Sequence, residues 1–165
     1  MSELQPVEMK SEVRLDWEAR AAEASKTGLY VLFASIVMFF GALTSVLIIR
    51  SGTSGDFRGV PIPRVLWFST AAILASSYFL VKQNRRLGIL CGVLFLAGQT
   101  IAWFQLVGAR GPGSWFFWTF SVAHAGHMLG GFLGFRWARR DLADLYWHFV
   151  TGLWIYVVIL FLIWS

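Results

Sequence analysis

The sequence predicts an all-α membrane protein, a polytopic bundle of five transmembrane helices with a cytoplasmic N-terminus and a periplasmic C-terminus. Three observations carry this. Of 165 residues, 57% are hydrophobic and 14% charged, where an ordinary soluble domain carries about 25% charged residues. The 14 basic and 9 acidic residues fall in five places: 3–26, 50–64, 82–86, position 110 and 136–144. Between them lie five uncharged stretches, 28–49, 65–81, 87–109, 111–135 and 145–165, of 22, 17, 23, 25 and 21 residues. A helix needs about 20 apolar residues to cross a hydrocarbon core about 30 Å thick, so each stretch is long enough to span. The pattern excludes a soluble domain and a disordered chain. It also excludes a nucleic-acid-binding module: the net charge of +5 is gathered at span ends, not on a phosphate-binding face.

Residues 1–27 read as a cytoplasmic amphipathic leader, and 28–165 as the membrane domain. The first 26 residues hold four basic and six acidic groups, too mixed for a signal peptide. Val13, Trp17, Ala21 and Ala24 form a narrow apolar stripe, and Asp16 and Arg20 a favourable i,i+4 pair. The leader is expected to be a short surface helix, either lying at the headgroups or meeting a partner subunit. The first span, 28–49, ends in the Ser-, Gly- and Pro-rich turn region 50–64. The second, 65–81, connects through a tight basic loop at 82–86 to the third. That third span, 87–109, carries Gly88, Gly92, Ala97, Gly98 and Ala102, small residues that suit close helix packing. Arg110-Gly111-Pro112-Gly113 turns into the fourth span, 111–135. Residues 136–144 read as a mixed-charge hairpin before the last span. Trp67, Trp115, Trp147 and Trp164 lie near span ends and are expected to act as interfacial anchors. The lone cysteine, Cys91, reads as a packing residue.

Orientation follows from the basic residues. With the N-terminus inside, ten of them (Lys10, Arg14, Arg20, Lys26, Lys82, Arg85, Arg86, Arg136, Arg139, Arg140) face the cytoplasm and four (Arg50, Arg58, Arg64, Arg110) face outward, as the positive-inside rule requires.

Pumps, voltage sensors and proton relays place ionisable groups in the membrane. Here no Asp, Glu, Lys or Arg lies inside a span, which makes this chain alone a poor ion-coupled transporter. The polar groups within reach are His124, His127, His148, Gln99, Gln105 and scattered hydroxyls. His124 and His127 share a helix face, and His148 opens the final span. They read either as ligands of a haem or metal, which would make a stand-alone bis-His membrane protein, or as hydrogen-bonding groups between helices and at headgroups. A rise of ~1.5 Å per residue sets His127 and His148 about 7 Å apart in depth, which argues against one shared small-ion site. Gly126, Gly130 and Gly134, spaced by four, form a small-residue face for helix packing. Neither a nucleophile with its base nor a phosphate-cradling loop is present.

Five segments together resemble a known family. Ser35-Ile36-Val37-Met38-Phe39-Phe40 is similar to its Ser-Glu-Val-Met-Phe-Phe. Ser69-Thr70 through Ser76-Ser77 is similar to its Thr-then-Ser-Ser helix, and Leu94-Phe95-Leu96-Ala97-Gly98-Gln99 to its Leu-Phe-Leu-x-x-Gln. The two specific matches are His124-Ala125-Gly126-His127 with Gly131, and Tyr146-Trp147-His148-Phe149-Val150 with Trp154. On these, the chain resembles subunit III of haem-copper oxidases (cytochrome c oxidase subunit III), in a short five-helix form. The resemblance covers about 28–165. Two positions depart from it: the family's carboxylates are Ile36 and Thr151 here, so no proton role carries over to them.

The resemblance implies a non-catalytic subunit of an oxidoreductase and translocase complex in aerobic electron transport, in a bacterial-type cytoplasmic (inner) membrane. The chain itself would hold no active site, cofactor or metal. Haem and copper would lie in the catalytic subunit I beside it, among other respiratory subunits, with phospholipid bound and no nucleic acid. Tyr146, Trp147, His148, His124, His127, Gly126, Gly130 and Gly134 would serve lipid contact or subunit packing. A nitric oxide reductase or another respiratory complex is the alternative partner.

Overall fold

The computed structural model describes residues 4–53, 63–110, 121–122, 125–126, 129–130 and 139–164. All regular structure among them is helical: α1 (Leu4–Thr53), α2 (Arg64–Val81), α3 (Arg85–Arg110) and α4 (Arg140–Trp164). Four of these helices are long and apolar enough to cross a membrane. Their most apolar windows are only 11–33% buried, so most of their apolar surface is left uncovered by this chain. The chain divides into two compact units, Met1–Leu47 and Ile48–Ser165, described in turn.

In the first unit the leader and first span are one helix. α1 runs 50 residues, about 75 Å at ~1.5 Å per residue, with no interruption at 27–28. A short helix lying flat at the headgroups would need a break there, and the backbone has none. The physical reason is local. Between residues 7 and 27 the chain holds no Pro or Gly, and Gly28 alone costs a helix only about 1 kcal/mol. Two i,i+4 ion pairs, Arg14–Glu18 at 3.6 Å and Asp16–Arg20 at 3.9 Å, lie along the leader, the second as the spacing predicts. Val13 and Trp17 are exposed.

In the second unit α2 and α3 form an antiparallel hairpin. Its turn is tighter than a loop of 82–86 implies, because α3 starts at Arg85. Gln83 adopts a left-handed backbone, φ 59°. Its N–H donates to the Leu80 carbonyl and that of Asn84 to the Phe79 carbonyl, the paired bonds that close a helix C-terminus. Asn84 then caps α3: its Oδ1 accepts from the Leu87 N–H at 3.3 Å, satisfying one of the free donors of the first turn.

α4 starts at Arg140, five residues before the expected span. The second half of the predicted hairpin is therefore the first turns of this helix. Asp141 sits in its first turn, where negative charge suits the helix dipole, and pairs with Arg139 at 3.4 Å. Of the fourth predicted span, the six described residues (121–122, 125–126, 129–130) are all helical.

Candidate functional site

The three helices α2, α3 and α4 meet along one seam, and small residues set its width. A Cβ on Gly88 would come within 2.8 Å of Leu80 Cδ2, on Gly92 within 3.0 Å of Trp147 Cζ2, and on Gly98 within 2.5 Å of Ser69 Oγ. Glycine at these positions lets the backbones approach closely. Gly88, Gly92, Phe95, Gln99 and Ala102 recur every three or four residues and are all buried, giving α3 one continuous packing face. Ile73 on α2 and Phe95 on α3 are essentially fully enclosed, and Phe95 meets the Trp154 ring edge-on at 5.5 Å.

Polar rungs cross this apolar seam. The Trp147 indole N–H donates to Ser76 Oγ at 2.9 Å, and Ser76 Oγ in turn donates to the Gly88 carbonyl at 2.7 Å. One serine thus ties three helices together. Ser77 Oγ lies 2.5 Å from His148 Nδ1. Trp154 Nε1 donates to Thr70 Oγ1 at 3.0 Å, while Thr70 Oγ1 donates to the Leu66 carbonyl. Low residues of α4 meet high residues of α2, so these two helices run antiparallel and α4 runs parallel to α3. At the charged end Arg85 Nη1 lies 3.5 Å from Asp144 Oδ1, joining the starts of α3 and α4.

Of the predicted site residues, those described take the following places. Trp147 is not an interfacial anchor: it is 7% exposed, because α4 begins early enough to carry it two turns deep, against Gly92 and Ser76. Tyr146 is buried beside it. A Cβ on Gly130 would lie 3.2 Å from the Tyr146 hydroxyl, whereas one on Gly126 would meet nothing within 4 Å. Of the small residues expected to share a packing face in 111–135, Gly130 therefore meets a neighbour and Gly126 meets none among the described residues. His148 is half-buried and turned to Ser77. His124, His127 and Gly134, with Trp115, lie outside the described residues. Trp67 is exposed, as an anchor would be.

The two positions that depart from the family pattern are buried. Ile36 is 7% exposed and Thr151 5%. Thr151 Oγ1 donates to the Trp147 carbonyl of its own helix, a partner that a carboxylate, which accepts only, could not use. Three features escape a reading of the sequence. The Arg85–Asp144 pair hides because both residues look like ordinary loop charges, although opposite signs at two span-end segments were a signal. The turn at Gln83 has none of the Gly that marks such turns. Gln99 is 93% buried, with its Nε2 meeting no acceptor among the described residues, and only its place on the α3 packing stripe announces it.

Compared with family models, characterised proteins and solved structures, the chain matches none of the three.

Proposed function

We propose that this chain is an accessory, non-redox subunit of a haem-copper terminal oxidase, similar to subunit III in its short form, seated in a bacterial-type inner membrane. One observation carries the reading. The Ser76-Ser77 segment and the Tyr146-Trp147-His148 segment each resemble the same family, and they lie 71 residues apart. In the fold they are hydrogen-bonded partners, Ser76 with Trp147 and Ser77 with His148. Segments that resemble one family separately and interlock in space support a shared ancestry of the seam.

The geometry suits a packing role. The polar side chains of the seam are turned inward to hold the helices together, and the outward faces are apolar. Such a block stabilises a neighbour through shape and bound lipid, while haem and copper chemistry belongs to the partner subunit. A five-span, N-in and C-out topology agrees with it. Arg85 and Asp144 lie side by side, so α3 and α4 start at the same end of their seam, which supports a further crossing between them.

Deleting the gene in its native host tests the role. The account predicts that the haem-bearing complex still assembles but loses oxygen-reducing activity faster during sustained turnover. Unchanged activity over many turnovers would overturn it. The same loss in nitric oxide reduction, with oxygen reduction intact, would reassign the partner.

A further inference from the structure

We draw no further inference here: the strongest candidate, the exposed face of the α1 leader formed by Val13, Trp17, Ala21 and Ala24, carries none, because nothing in the structure shows what covers it.

Discussion

Ser76 is the residue on which most of the seam converges. Its hydroxyl accepts from one helix and donates to a second while belonging to a third. Ser76→Ala removes the hydroxyl that accepts from the buried Trp147 N–H, a loss that costs about 1–3 kcal/mol. Trp147→Phe removes donor and need together, so adding Ser76→Ala to it should cost less than Ser76→Ala alone. Unfolding in mixed detergent micelles, run as a double-mutant cycle, measures the difference, and purely additive effects would show that the rung carries no coupling. At this scale the sequence was readable in part. Serines at 76 and 77 and the Tyr-Trp-His run were visible as candidate motifs. Their pairing was not, because contacts 71 residues apart follow from how helices are arranged and no local period records them. Trp147 misled for the same reason: an aromatic residue near a span end reads as an anchor, and only the early start of α4 turns it inward.

Helix identity was legible where charge punctuates the chain. Charges bracket α2 and α3 and mark the start of α4, and the uncharged stretches fix those helices to within a few residues. The ends differ where polar residues continue a helix, as at 140–144, since charge marks the edge of the hydrocarbon and not the end of hydrogen bonding. The same distinction accounts for α1, whose leader stays helical outside the apolar stretch. Spin labels at residues 14 and 28, in a Cys91→Ser background, should lie about 21 Å apart in one narrow distribution if the helix is continuous. A short or broad distribution would mean that it breaks. The α2–α3 turn offers a second check. Gln83 holds a left-handed conformation that costs a side-chain-bearing residue roughly 1–2 kcal/mol and glycine almost nothing. Gln83→Gly should therefore stabilise the hairpin by about 1 kcal/mol, read as a later unfolding midpoint. No change or a loss would count against the turn as described.

Across the whole molecule, the composition already fixed the environment. With 14% charge and none of it in the spans, the chain belongs in a bilayer, and its four described apolar helices agree. What composition left open is how the crossings assemble, and here one ion pair is informative. Arg85 and Asp144 set the starts of α3 and α4 side by side. Being about one-third exposed, the pair contributes only about 0.2–1 kcal/mol, so its value is in register more than in stability. Arg85→Asp should loosen the α3–α4 junction and expose the 139–144 backbone to faster amide hydrogen exchange. The swap Arg85→Asp with Asp144→Arg should restore protection, and a swap no better than the single change would rule out pairing. The most direct test of the central claim, membership in an oxidase, is affinity purification of the tagged full-length chain from native membranes in mild detergent. An optical spectrum and mass spectrometry would then be recorded on the eluate. The account predicts stoichiometric recovery of a large haem-bearing polytopic subunit and oxygen reduction in the eluate. A stable chain recovered alone, or one bearing its own haem spectrum that Ser77→Ala and His148→Ala alter, would contradict it.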